Sequence, residues 1–330
     1  MYKSKLNLEE TEHAIKLVKD TFQFNLRSSL QLSRVTAPLF VKANEGINDN
    51  LNGYEVPVSF ECNMDGNNEK IEIVHSLAKW KRQKLYKMGV QPGYGIYTDM
   101  NAIRTFEKLD DIHSLYVDQW DWEQVITEGE RNLDYLKMIV GEIYKSIRRT
   151  EFVVCEQYPK LKPFLPEFIT FITSKKLAQE YPNKTPKERE YEICKKYGAV
   201  FIIGIGGVIE GRNEIHDTRS PDYDDWRLNG DLLVWYPELK KPIELSSMGI
   251  RVNRGSLMNQ LEISGNTRWL SYEYHKNIIN QVYPQTIGGG IGQSRLCMIL
   301  LHKLHIGEVQ CSVWPNEIIN ECKQNNIELL

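Results

Sequence analysis

The chain has 330 residues, with 41 basic against 44 acidic side chains and a formal net charge of −3, which excludes nucleic-acid binding driven by bulk charge. Its mean hydropathy of −0.45 is that of a globular protein in water, its longest uncharged run (Gly198 to Ile209) is too short to span a bilayer, and Met1 to Glu10 has no apolar signal core. Six cysteines, with no C-x-x-C pair among them, read as reduced thiols of a cytoplasmic protein and not as a zinc cluster.

Asn7 with Glu10 is a capping pattern, and Ile15, Val18, Phe22, Leu26 and Leu30 follow at helical spacing, so the chain opens on a long amphipathic helix. Arg34 to Val41 reads as a strand with Pro38 at an edge or a break. Tyr54 to Phe60 and Lys70 to Val74 flank a Met64-Asp65-Gly66-Asn67-Asn68 turn and form a hairpin. Ser76 caps a helix running to Met88. Tyr97 to Arg104 and Ser114 to Trp122 are paired strands, and Glu128 to Glu156 is a second long helix. Pro159 to Tyr197 holds short helices broken by prolines. Ala199 to Ile203, Leu232 to Trp235 and Ile243 to Met248 are strands, with a polar, Asp-rich connection from His216 to Asn229. Helices at Ser256 to Ile263 and Trp269 to Gln281 precede a Gly-rich turn at Gly288 to Gly292 and a closing helix. Strands arrive as hairpins and singles, which predicts an α+β fold: a mostly antiparallel sheet flanked by helices, in one domain over residues 1–330.

Four features break the bland pattern. Lys81 lies inside the apolar stripe between Leu77 and Leu85, so either an anion or carboxylate meets it or its stem snorkels past Leu85. On the strand ending at Trp122, alternation puts Val117, Gln119 and Asp121 on one face, which changes from apolar to polar along its length, as a strand entering a site does. Arg104, at the end of the partner strand, offers bidentate contacts to phosphate or carboxylate. Asp222, Asp224 and Asp225 crowd together, while Asp231 and Glu244 each open an apolar strand segment. These oxygens suit either Mg²⁺ or turn chemistry. The run Gly288-Gly289-Gly290-Ile291-Gly292-Gln293-Ser294-Arg295 is neither a Walker A loop nor a dinucleotide fingerprint. It reads as close approach of backbone to a flat or anionic ligand, with Arg295 able to stack on adenine.

The segment Gly290 to Arg295 resembles motif 3 of class II aminoacyl-tRNA synthetases, Arg104 with its loop resembles motif 2, and the first helix leading to Pro38 resembles motif 1. More narrowly, His75-Ser76-Leu77-Ala78-Lys79-Trp80-Lys81-Arg82, Tyr116 to Glu123, Pro221 to Trp226, Glu244 to Arg251 and Pro284 to Gly290 resemble ammonia-dependent asparagine synthetases, from one end of the chain to the other.

That resemblance implies a class II synthetase-like catalytic core that makes L-asparagine from L-aspartate, ATP and ammonia through β-aspartyl-AMP, releasing AMP and pyrophosphate. It implies catalytic roles for Asp49, Lys81, Arg104 and Gln119. Ser76, Asp121, Asp224, Ser246, Ser247 and Arg251 would bind the amino-acid substrate. Arg104, Ile112, Tyr223, Asp231, Glu244, Gly290 and Arg295 would bind ATP or AMP, with Asp231 and Glu244 holding Mg²⁺. Lys81 and Arg104 would neutralise the β-carboxylate and α-phosphate, Asp121 would meet the α-ammonium, Arg251 the α-carboxylate, and Asp49 would take a proton from ammonium. The resemblance further implies a homodimer, and the chain has no N-terminal cysteine that would release nitrogen from glutamine. The rival expectation is an aspartyl- or asparaginyl-tRNA synthetase-related protein that activates aspartate for tRNA; the net charge and the lack of residues for an anticodon-binding domain oppose it.

Overall fold

The computed structural model describes residues 2–330 except 44, 50 and 52–54; Tyr54 of the expected hairpin, and Asn50, Asn52 and Gly53 beside Asp49, lie outside the described residues. Helix α1 (Leu8–Ser29) begins at the Asn7/Glu10 capping box and buries Val18, Phe22 and Leu26. The expected strand at Arg34 to Val41 is two strands, β1 (Leu32–Arg34) and β2 (Phe40–Lys42), in different sheets. Pro38, with no N–H to give a ladder, lies between them. Strands β3 (Ser59–Met64) and β4 (Asn67–Ile73) form the hairpin, and Asp65 and Gly66 both have positive φ, as a two-residue turn of primed type requires. Helix α2 (Ala78–Met88) is preceded by Leu77 as its N-cap; Ser76 sits one residue further out, its hydroxyl accepting the Ala78 N–H at 3.2 Å.

Strands β5 (Gly95–Ile103) and β6 (Tyr116–Val125) pair antiparallel. The second long helix, α3 (Leu133–Gln157), starts later than the pattern suggests because the Asn132 side chain caps it; a separate 3₁₀ turn occupies Glu128–Glu130. The proline-broken stretch contains a strand that composition hides, β7 (Thr170–Thr173), then α4 (Ser174–Glu180) and α5 (Pro186–Tyr197). Strand β8 (Ala199–Ile203) follows, and β9 (Asp224–Tyr236) begins within the Asp-rich connection, before β10 (Lys241–Arg251). Helices α6 (Arg254–Ile263) and α7 (Glu273–Ile279) come next, the latter after a 3₁₀ turn at Thr267–Ser271. The glycine run is not a turn. It is strand β11 (Thr286–Gly292), paired with β10 on one side and β6 on the other, and it leads into α8 (Gln293–Leu300). A short terminal helix, α9 (Asn316–Gln324), follows Pro315.

The large sheet has the order β1-β5-β6-β11-β10-β9-β8-β7, antiparallel throughout its interior and parallel only at its two edges. The smaller sheet is β2-β4-β3. Period-two alternation then divides the large sheet's work. Trp120 and Trp122 of β6 enter the main core, where α1 and α3 cover the sheet and the Phe22 ring lies 4.6 Å from that of Trp120. Burying rings of this size supplies several kcal/mol each by area. Gln119, Asp121 and Glu123 project to the opposite face, on which α2 packs against β6 and β11. Among the described residues no helix is long and apolar enough to cross a membrane, and the six cysteines are all unpaired.

Candidate active site

Two joined cavities open on that second face. One, of about 90 Å³, is lined by residues that include Ile112, Asp118, Ser246, Gly292 and Arg295. The other, of about 210 Å³, is lined by Asp49, Ser76, Lys81, Asp121, Tyr223, Asp224 and Arg251 among others. Arg104, Gln119, Glu244, Ser247 and Gly290 line both and so mark the junction. The site residues expected from sequence therefore converge on one place, with Asp231 the exception: it stands behind the wall, covered by Arg219.

The glycines of β11 make room for the neighbouring strands' side chains. A Cβ on Gly288 would fall 2.0 Å from Oε2 of Glu123, and one on Gly289 would fall 2.6 Å from the Ser247 carbonyl oxygen. The run is therefore fixed by close approach within the sheet, which a reading of local turn chemistry does not see.

Lys81 points inward and is buried. Its ammonium donates to an Asp121 oxygen and, at 3.0 Å, to the Gly289 carbonyl, with Glu123 at 4.0 Å. Burial pulls Lys81 below the ordinary lysine range even though Asp121 opposes that. Sequence reading sends Lys81 and Asp121 to opposite ends of a substrate, whereas in the protein they are bound to each other. The second Asp121 oxygen, Oδ2, is buried and has no hydrogen-bond partner among the described residues.

Arg251 is likewise engaged. Its Nε and Nη2 donate to Glu123 at 2.9 and 2.7 Å, and its Nη1 donates to Asp224. Thr286 donates to the same Glu123 carboxylate at 2.7 Å. Burial acts to raise the Glu123 pKa, but the Arg251 guanidinium prevails and holds it below the ordinary value. Burial raises Asp224. Three of the five Arg251 N–H bonds are committed, and two are left over.

Arg104 reaches the junction from the end of β5, donating to the His75 carbonyl at 3.4 Å with Glu107 at 3.7 Å, and its Nε is buried with no hydrogen-bond partner among the described residues. Arg295 is pinned from behind: Nη1 donates to the Glu244 carbonyl at 3.0 Å and Nε to the Ile112 carbonyl at 3.4 Å, which fixes the plane of its guanidinium. Ser246 spends its hydroxyl proton on the Gly290 carbonyl at 2.9 Å. Asp49 is buried; its Oδ1 accepts the Leu51 N–H at 2.9 Å and its Oδ2 has no hydrogen-bond partner among the described residues. Burial pushes the Asp49 carboxyl above its ordinary value.

Sequence reading missed Arg219. Its guanidinium donates to Ser247 and to Asp231, and its Nε lies 3.8 Å from Asp224 with no hydrogen-bond partner among the described residues. Burial works against its charge, but Asp231, Tyr223 and Asp224 raise its pKa above the ordinary arginine value. The one signal was compositional, a single arginine ahead of three aspartates in the connection to β9. Glu244 lies close to Asp231, and burial followed by the Asp231 charge raises its pKa. Two carboxylates repelling each other in this way would suit a hard divalent cation, although the Asp231 carboxylate is here held by Arg219. Among the described residues no group of three or more acidic, histidine or cysteine side chains is arranged to hold a metal by itself.

A family model described as aspartate-ammonia ligase matches residues 9–326. A Bacteroides fragilis protein named aspartate-ammonia ligase is 54% identical over 338 residues, covering 100% of this chain and 97% of its own length. One of the same name from Fusobacterium nucleatum is 55% identical, covering 100% and 99%. Among solved structures, the asparaginyl-tRNA synthetase of Pyrococcus horikoshii complexed with asparaginyl-adenylate superposes with a TM-score of 0.65 at 14% identity, over 92% of this chain and 70% of that one. The aspartyl tRNA synthetase of Entamoeba histolytica gives 0.60 at 14% identity, over 91% and 58%. At such identities the likeness is one of fold: the sheet and its flanking helices are laid out as in those two synthetases.

Proposed function

The chain belongs to the aspartate-ammonia ligase family, and from that membership we infer how its two joined cavities carry out the family's reaction. The protein is an ATP-dependent ligase that makes asparagine from aspartate and ammonia. In our reading the smaller cavity takes the adenosine, the larger takes aspartate, and the α-phosphate meets the β-carboxylate at the junction held by Arg104, Gln119 and Gly290.

Two anions must meet in the first step, so cations have to stand in place before substrate arrives. Arg104 faces the α-phosphate and Lys81 the β-carboxylate. The free Asp121 oxygen takes the α-ammonium, the remaining Arg251 N–H bonds and Ser76 take the amino-acid carboxylate and its neighbours, and Arg295 stacks on adenine. Tyr223 and Asp224 close the wall beside Arg251. Asp231 and Glu244 would hold Mg²⁺, which when bound neutralises phosphate charge. A β-carboxylate oxygen attacks the α-phosphorus and the P–O bond to pyrophosphate breaks, leaving β-aspartyl-AMP. Ammonia then attacks the acyl carbon, the C–O bond to phosphate breaks, and AMP departs. Asp49 removes the proton that ammonium carries at neutral pH. Holding the partners in place supplies on the order of 7 to 11 kcal/mol of the barrier.

The observation that carries this reading is that Lys81, Arg104 and Arg251 stand with Asp49, Asp121 and Asp224 around one space. Opposed charges lining one cavity suit a ligand of mixed charge. We read residues 1–330 as one catalytic domain, because the cavities draw on residues from Asp49 to Gln310. We place the protein in the cytoplasm as a homodimer, a second copy covering the exposed Phe24 of α1 and Leu39 and Phe40 beyond Pro38.

The test is an assay with ATP, Mg²⁺, L-aspartate and ammonium. Asparagine, AMP and pyrophosphate are the expected products; ADP, or aspartyl-tRNA without free asparagine, overturns the reading.

A further inference from the structure

Behind Asp49 lies a third cavity, polar and about 130 Å³ in volume, separate from the two already described. It has room for several molecules the size of water. Three segments form the partition, and in each one residue lines the rear cavity while its chain neighbour lines the front: Asn48 and Asp49, Lys79 and Ala78, Asp222 and Tyr223. The partition is one residue thick at each of these places. It is also electrically thin, since Lys79 and Asp222 both act on the Asp49 carboxyl.

The rear cavity is built of polar groups. Asp222 accepts from Lys79 at 2.9 Å and is 3.0 Å from Nε2 of His275, while the His275 Nδ1 is buried with no partner among the described residues. Toward the surface the cavity is bounded by Lys42 of β2 and Glu72 of β4. Lys42 is drawn toward Glu69 at 3.6 Å, and Glu72 accepts the Asn48 amide at 3.2 Å with no cation paired to it among the described residues. A carboxylate with no paired cation at the mouth of a polar cavity attracts a small cation, and Lys42 at the same mouth opposes it.

We propose that this rear cavity admits ammonium to Asp49, separately from the entrance used by ATP and aspartate. The inference rests on Asp49 serving the second step. Once both large substrates fill the front cavities, the approach to Asp49 from that side is occupied, and the rear cavity offers nitrogen a separate approach, across a partition one residue thick, while the adenylate stays in place. The chemistry balances: ammonium passes one proton to the Asp49 carboxylate, the freed lone pair attacks the acyl carbon, the C–O bond to phosphate breaks, and the departing AMP takes the electron pair and the second proton.

The experiment changes the entrance and leaves the front alone. In Glu72→Lys the KM for ammonium should rise about three- to tenfold, and in Lys42→Glu it should fall. In both, the KM for aspartate and aspartate-dependent pyrophosphate–ATP exchange, which needs no ammonia, should be unchanged. An unchanged ammonium KM in both variants with normal exchange overturns the proposal. If Glu72→Lys depresses exchange as well, the residue is structural, and Lys42→Glu decides alone. Absence of exchange in the parent protein would instead overturn the adenylate reading and leave the passage without its purpose.

Discussion

A Cβ added to Gly290 would stand 2.2 Å from Oε1 of Gln119, so the glycine and the amide share the junction of the two cavities with no atom to spare. Because the obstructing atom is the end of a flexible side chain, Gly290→Ala should fold with a stability loss of about 1 kcal/mol or less. Gln119 would be driven into the space assigned to the reacting groups, and aspartate-dependent exchange should fall by about 10²-fold, a misplacement effect. Gly289→Ala is the contrast. Its Cβ would meet the Ser247 carbonyl and Met248, which cannot step aside, so its melting temperature should drop clearly. Melting curves and exchange rates of the two variants, measured together, separate the roles; equal loss of stability in both would refute the distinction.

Among the described residues, half-buried Arg104 makes long contacts with His75 and Glu107. Removing it should leave the fold almost untouched. Loss of a preorganised cation aimed at developing negative charge lowers rates by about 10² to 10³. Arg104→Ala should therefore lose exchange to that extent while its melting temperature stays close to the parent's. Retention of exchange would take Arg104 out of the first step.

The parts of the fold that sequence made legible are those written in local periodicity. The first helix begins at the Asn7 box, and alternation on β6 separated Trp120 and Trp122 from Gln119 and Asp121. Lys81, open to two readings from its place in the stripe, is the inward one. What stayed hidden depends on residues distant in the chain. The glycine run has the composition of a turn, and only Glu123, Gln119 and Met248 on adjacent strands reveal it as a strand. Arg219 sits in an irregular connection where no period marks a direction, and its partners Asp231 and Ser247 come from β9 and β10. The Lys81–Asp121 pair also needs the tertiary fold, because each residue separately reads as a ligand for substrate.

Arg219 gives a prediction that sequence alone does not supply. Its guanidinium compensates Asp231 and faces Asp224, with Glu244 nearby. Arg219→Leu leaves these buried carboxylates bare, and removing one partner of such a set typically destabilises by about 3–5 kcal/mol. A divalent cation binding Asp231 and Glu244 would restore part of the missing charge, so the variant's melting temperature should rise on adding MgCl₂ by more than the parent's does. Thermal melts with MgCl₂ and with EDTA check this; an identical response in the two proteins would argue against cation binding by that pair.

Asp49 links pH, stability and the second step through one carboxyl group. Burial raises its pKa above the ordinary 3.8, with Lys79 pulling the other way. A raised folded-state pKa means that the fold favours the neutral acid, so this group's contribution to stability is fully present below the unfolded value and declines as pH rises through the folded one. Asp49→Asn keeps an oxygen for the Leu51 N–H and carries no charge. It should therefore be more stable than the parent at pH 7, with the advantage shrinking toward pH 3.8. The same change removes the acceptor for the ammonium proton, so asparagine formation should fall by about 10²- to 10⁴-fold while aspartate-dependent exchange persists. Melting curves across that pH range and the two rate measurements test both halves. A variant less stable than the parent at pH 7, or one that loses exchange and asparagine formation together, would place Asp49 in the scaffold or in the first step instead.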